Sequence, residues 1–207
     1  MDTAVHPRDH AELQDAQRPG IDFHGDHFAL FQLPQRFALD GEALSAQWRR
    51  LQALVHPDRF AGSGAAQSRL AMQWSTLVNT AYRTLLDPLT RAAYLCELRG
   101  VAIDAERNTA MPLEFLEEQM EWRDQLEQAR AHDDAQALQA LRERVGQRRD
   151  EVLRELTLRL DGSAADARVR ELWTQQAAGL VRVLMFIDKF RRDLTPRRAR
   201  TLSHPAL

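Results

Sequence analysis

From residue 26 onward the apolar positions recur at helical spacing, and no stretch shows the alternation of a strand. Phe28, Leu30, Phe31 and Leu33 make a short apolar turn stopped by Pro34. Asp40 is placed to cap a helix whose inner face is Leu44, Trp48, Leu51 and Val55, at spacings of four, three and four. His56-Pro57 ends it, because proline disfavours helical geometry in the residue before it. After the small-residue loop Ala61-Gly62-Ser63-Gly64-Ala65, the positions Leu70, Trp74, Leu77, Val78, Ala81 and Leu85 predict a second long helix, ended by Pro88. Arg91 to Leu98 reads as a short helix closed by Gly100. Pro112 suits the first turn of a helix, and three amphipathic patterns follow it. The first carries Phe115, Leu116, Met120 and Leu126. The second carries Leu138, Leu141, Val145, Val152, Leu156 and Leu160. The third carries Val169, Trp173, Leu180, Leu184 and Ile187. The breaks between them are His132-Asp133-Asp134 and Asp161-Gly162-Ser163, so the three helices predict an antiparallel bundle. The expected organisation is all-α: a polar, disordered leader over 1–25, a helical unit over 26–100, a connector over 101–112, a three-helix bundle over 113–192 and a basic tail over 193–207.

Composition narrows the chemistry. A length of 207 residues is room for one large domain or two small ones, and a formal net charge of −2 gives no reason to propose nucleic acid. Lys189 is the only lysine, so Schiff-base chemistry is confined to one position while the other basic residues are arginines. One cysteine, Cys96, rules out an intramolecular disulfide and any zinc site built from two or more cysteines. Arg182 interrupts the longest apolar stretch, so no segment reads as membrane-spanning. The first 25 residues have no apolar core and carry Asp2, Asp9, Glu12 and Asp15, unlike a secretory or transit peptide; the expected location is cytoplasmic.

The informative motif is His56-Pro57-Asp58-Arg59-Phe60, between the two N-terminal helices. It follows Arg49 and Arg50 and precedes Asn79-Thr80-Ala81-Tyr82-Arg83-Thr84-Leu85, then Asp87-Pro88-Leu89-Thr90-Arg91-Ala92-Ala93-Tyr94. A helical hairpin with this loop and these later pieces resembles a J domain. The resemblance narrows further. Phe28-Ala29-Leu30-Phe31-Gln32-Leu33-Pro34, Phe37-Ala38-Leu39-Asp40, Leu51-Gln52 and Arg91-Ala92-Ala93-Tyr94-Leu95 resemble the first half of the HscB family. Phe115-Leu116-Glu117-Glu118-Gln119-Met120-Glu121-Trp122-Arg123-Asp124 and Leu184-Met185-Phe186-Ile187-Asp188-Lys189 resemble its second half. Glu117 departs from the apolar residue common there, and Met185 from a common basic one.

HscB-like proteins are co-chaperones of iron–sulfur cluster assembly, and the resemblance implies an adaptor without enzymatic activity or cofactor. It implies two partners. A DnaK-class chaperone of the HscA type would be engaged, and its ATPase stimulated, through His56, Pro57, Asp58, Arg59, Arg49 and Arg50. An IscU-type scaffold would be bound through Leu116, Met120, Glu121, Arg123, Asp124 and Phe186. Physically, proline rigidifies the loop and lowers the entropy cost of presenting its neighbours. Asp58 can pair with a partner arginine, and the arginines on that surface set up a positive field toward an acidic partner. Leu116 and Met120, four apart, lie on one helix face, where apolar residues at such spacing commonly belong to a core.

Other sites carry less. His24, Asp26 and His27 have no further nearby metal ligand, Cys96 sits in an apolar helical pattern, and no nucleophile or phosphate loop accompanies His56 and Asp58. Two alternatives stay open: a J-domain protein serving another client, and a helical nucleic-acid- or lipid-binding protein using Arg197, Arg198 and Arg200.

Overall fold

The computed structural model describes residues 22–60, 64–103, 111–164 and 166–195. Residues 1–21 of the expected leader, 104–110 of the connector and 196–207 of the tail, including Arg197, Arg198 and Arg200, lie outside the described residues. Within them are seven α-helices and no strand: α1 (His27–Leu30), α2 (Gly41–Val55), α3 (Ala65–Leu86), α4 (Pro88–Leu98), α5 (Leu113–Ala131), α6 (Ala135–Asp161) and α7 (Ala167–Leu194). A 3₁₀ turn, Pro57–Phe60, lies between α2 and α3.

Aspartates start most of these helices. Asp26 accepts from the N–H groups of Phe28 and Ala29, and Asp40 from those of Glu42 and Ala43. Asp87 accepts from Leu89 and Thr90, Asp134 from Ala137, and Asp166 from Val169. Each satisfies donors with no intrahelical partner, worth about 1 kcal/mol apiece. The Asp87 cap, with Pro88 in the first turn, starts α4 three residues ahead of the expected Arg91. Gly100, at φ +82°, follows the end of that helix as expected. Pro112 stands just outside α5, as its N-cap, rather than within its first turn.

α2 and α3 form a hairpin that buries Leu44, Leu51 and Val55 with Val78, Ala81 and Leu85. A polar lock sets its register. The Asn79 side-chain oxygen accepts from Trp48 Nε1 at 3.2 Å and from Gln52 Nε2 at 2.6 Å. The Trp48 ring stacks on Tyr82 with centroids 4.8 Å apart, and the Tyr82 hydroxyl is 3.2 Å from Ser45 Oγ. The Asn79 and Tyr82 motif residues therefore hold the two helices in register.

In the second half α6 packs against both α5 and α7. α5 and α7 run parallel to each other, with Phe115 edge-on to Phe186 at 5.5 Å and Trp122 beside Phe190 at 5.6 Å. Trp122 is fully buried and belongs to the core, a role that the sequence pattern did not assign it. Where α6 meets α7, a Cβ on Gly162 would run into the Trp173 ring and the Leu158 carbonyl, so only glycine closes that turn unstrained.

The two halves are not separated by the connector. α4 lies against α7 and α6, and one continuous cluster of buried residues runs from Phe28 to Leu194. Arg99 donates to the Leu160 carbonyl at 2.7 Å. The Asp161 carboxylate accepts from the Phe37 N–H at 2.6 Å and the Ala38 N–H at 2.7 Å. The Arg91 guanidinium lies over the Phe37 ring at 5.2 Å and donates to the Leu85 carbonyl. Asp161→Ala would leave two N–H groups to water or to nothing. We expect a loss of about 2 kcal/mol, given about 1.5–3 kcal/mol for a charged hydrogen bond and partial exposure here. Urea denaturation measures it, and a midpoint unchanged from wild type would show that the clamp contributes nothing.

Candidate functional site

Two surfaces bring together the residues singled out in the sequence. The first is the loop after α2. His56 ends that helix in extended geometry (φ −63°, ψ 127°), as a residue before proline must. Pro57 then opens the 3₁₀ turn. The Asp58 N–H donates to His56 Nδ1 at 3.3 Å, a weak bond that turns the ring back on its own loop. The Asp58 carboxylate is 3.6 Å from the same nitrogen. Side-chain exposures of 54% for His56 and 90% for Asp58 show that neither is spent on packing.

What holds the loop lies behind it. Arg59 donates from its guanidinium to the Ala53 carbonyl at 3.0 Å and from its backbone N–H to the His56 carbonyl at 3.1 Å. Both contacts tie the turn to the unsatisfied C-terminal end of α2. Phe60 is buried beneath, and Ser68 Oγ donates to its carbonyl at 2.9 Å. Arg59 is thus partly a structural residue of the loop. Arg49 and Arg50 are exposed on the preceding turns of α2 and add positive charge beside it.

The second surface is the outer face of α5. Its inner face is Phe115, Trp122, Leu126 and Ala129, all buried. Leu116 and Met120, read from spacing alone as a helical apolar pattern, are instead 37% and 63% exposed, with Leu113 at 70%. Leu113 was missed in the sequence; its place one turn before Leu116 was the available signal. These three residues and Arg123 follow one another at three- and four-residue steps, so they line one strip. Arg123 sits over the Phe186 ring at 5.5 Å, which brings Phe186 from α7 to the edge of that strip. Phe186 is half-buried, held by Phe115 and by Phe190 at 6.1 Å. Asp124, Glu117 and Glu121 are exposed progressively farther round the helix, toward α6. The strip is thus apolar with an arginine on one edge and carboxylates on the other. Met185 is 39% exposed on α7 beside Phe186. Exposed apolar residues grouped in this way are a feature that docking surfaces share.

The remaining candidates are accounted for by packing. Cys96 is buried, its sulfur 3.9 Å from the Thr174 carbonyl, and burial pushes its thiol up to about 11. It stays protonated at neutral pH, which makes it a poor ligand or nucleophile. His27 stacks on Tyr94 at 4.4 Å while its backbone N–H donates to the Tyr94 hydroxyl, and burial lowers its pKa. Among the described residues no group of three or more His, Cys, Asp or Glu could hold a metal ion, and no helix is long and apolar enough to cross a membrane.

Comparison with known proteins agrees with this geometry over most of the chain. Residues 111–195 match the family described as the HSCB C-terminal oligomerisation domain. The chain is 50% identical over 169 residues to the co-chaperone protein HscB homolog of Burkholderia multivorans, covering 82% of this chain and 91% of that one. Among solved structures, chaperone HscB from Vibrio cholerae superposes with a TM-score of 0.69 at 36% identity, covering 82% of this chain and 95% of the other. Human co-chaperone HscB superposes with a TM-score of 0.73 at 26% identity, covering 84% and 82%. An N-terminal J-domain hairpin joined to a C-terminal helical domain, with this identity across both, places the chain in the HscB family of co-chaperones.

Proposed function

We propose that this co-chaperone is an adaptor with two protein partners and no catalytic step of its own. The unit over 26–100 presents the His56-Pro57-Asp58 loop and the Arg49, Arg50 and Arg59 guanidinium groups to the ATP-bound form of an HscA-type, DnaK-class chaperone. Its ATPase is thereby stimulated. The unit over 113–192 carries an IscU-type iron–sulfur scaffold on the Leu116–Met120 strip, with Phe186, Arg123, Glu121 and Asp124 around it. The two together hand the scaffold to the chaperone, in the cytoplasm, in support of cluster transfer.

The observation that carries this reading is the pairing of two exposed, chemically different surfaces on one continuous core. A rigid, charged loop on one half is joined through α4 and the Asp161 clamp to an apolar strip on the other. A client on the strip is then held at a set position relative to the loop, which raises its effective concentration at the chaperone. The test is a reconstituted ATPase assay with the chaperone, the scaffold and this protein. We expect stimulation with this protein alone, and more than additive stimulation when the scaffold is added. Merely additive rates would remove the adaptor role and leave only the chaperone contact.

A further inference from the structure

Around the C-terminal end of α7 gathers a concentration of arginines of which the two surfaces above use only Arg123. A cleft of about 630 Å³ between α5, α6 and α7 is lined by Arg123, Arg130, Arg142 and Arg192, against a single carboxylate, Asp193. Two of the four are fixed by the end of α7 itself. Arg130 donates to the Asp193 carbonyl at 2.7 Å, and Arg142 donates from Nε and a terminal nitrogen to the Leu194 carbonyl at 3.2 and 2.8 Å. These contacts satisfy orphan carbonyls, but a helix C-terminus carries only about half a negative charge. Asp87 and Asp188 line the adjoining cleft beside Arg142 and Arg192, where arginines still outnumber carboxylates four to two. Each guanidinium has five N–H donors, and the caps use one on Arg130 and two on Arg142. The neighbouring Arg149 and Arg191 differ, since Asp188 pairs with them at 2.7 and 3.5 Å. The Arg192 side chain is exposed and makes no ion pair among the described residues. The pole is therefore permanently positive, and the donors of Arg130 and Arg142 are held in place before any ligand arrives.

The pole is continuous with the apolar strip. Arg123 belongs to both, lying over Phe186 and lining the cleft, and Arg130 follows it seven residues on along the same side of α5. We propose that the arginine pole binds an acidic, carboxylate-bearing segment of the same protein that docks on the Leu116–Met120 strip. This rests on the scaffold-docking reading above. Planar arginine forks match carboxylates with two parallel hydrogen bonds, and pre-fixed forks lose little entropy on binding. Continuity with an apolar protein-docking strip favours a protein carboxylate over other anions. The lining has no exposed aromatic side chains on which bases would stack and no exposed apolar residues to enter a bilayer. The pole therefore adds a second point of attachment, which fixes the orientation of the scaffold as well as its affinity.

The test uses the full-length protein and a purified IscU-type scaffold, with binding followed by calorimetry at about 0.05 M and about 0.5 M salt. We expect Arg192→Glu to weaken binding about tenfold at low salt and far less at high salt, with Arg192→Gln between it and wild type. Arg192→Gln should keep the wild-type melting temperature, because the side chain is exposed, and Arg192→Glu should lower it only slightly, because it sets a carboxylate against the negative end of α7. Sedimentation and flotation on phosphatidylglycerol vesicles are run in parallel. Wild type failing to bind the scaffold overturns the docking reading and this proposal with it. Wild type binding while Arg192→Glu binds equally well at low salt overturns the pole alone. So does a charge reversal that alters only self-association, which would make the occupant a second copy of this chain, or only vesicle binding.

Discussion

His56→Gln is expected to abolish stimulation of the chaperone ATPase while leaving the fold and scaffold binding intact. The side chain stands half in solvent, and its one described hydrogen bond is long and bent back on its own loop. Losing it costs the folded state well under about 1 kcal/mol. Glutamine keeps the bulk and a polar tip but not the imidazole, whose Nδ1 accepts from the Asp58 N–H. Truncating one member of a hydrogen-bonded charged contact in an interface costs about 2–5 kcal/mol, a loss of about thirtyfold or more in affinity. Asp58→Asn, with the carboxylate 90% exposed, should act in the same direction. The readouts are steady-state ATPase against co-chaperone concentration and thermal melting by circular dichroism. Wild-type stimulation by His56→Gln, or loss of helix, would remove His56 from the chaperone contact.

The second large effect is expected from Leu116→Ala combined with Met120→Ala. Both side chains are exposed, so stability should change by no more than about 0.5 kcal/mol. If they anchor the scaffold, each truncation costs about 1–2 kcal/mol, and the pair lowers affinity by about thirty- to a thousandfold. Phe186→Ala is a poorer probe, because Phe186 packs in a row with Phe115 and Phe190. It should lower the melting temperature as well as affinity. The double variant therefore separates docking from packing. Wild-type scaffold affinity in it would move the docking surface off this strip.

Much of this molecule is legible without coordinates, and the reason is the range of the interactions involved. An aspartate that caps a helix acts on N–H groups two and three residues away, so Asp40 could be assigned from its neighbours alone. The proline stop at His56-Pro57 is equally local, and the helical spacing of Leu44, Leu51 and Val55 shows which face of α2 is buried. The exposed loop with His56 and Asp58 followed from its place between two such helices.

Burial on α5 was not legible, because Phe115, Leu116, Met120, Trp122 and Leu126 spread apolar groups around much of that helix. Only the positions of α6 and α7 decide that Trp122 goes inside and Met120 stays out. Asp161 is a sharper case. A carboxylate in the last turn of a helix is unfavourable by local rules, since the dipole there is negative. The structure supplies its reason in two N–H groups more than a hundred residues earlier in the chain. The same holds for Arg130 and Arg142, whose spacing suggests solvated helix faces and whose guanidinium groups close the end of α7. The sequence by itself determined where helices begin and stop and which loop is charged, because those choices are settled within about four residues. Only the tertiary structure decided which apolar strip stays exposed, how the two halves are clamped and where the positive pole gathers, because each depends on groups that become neighbours only when the helices pack.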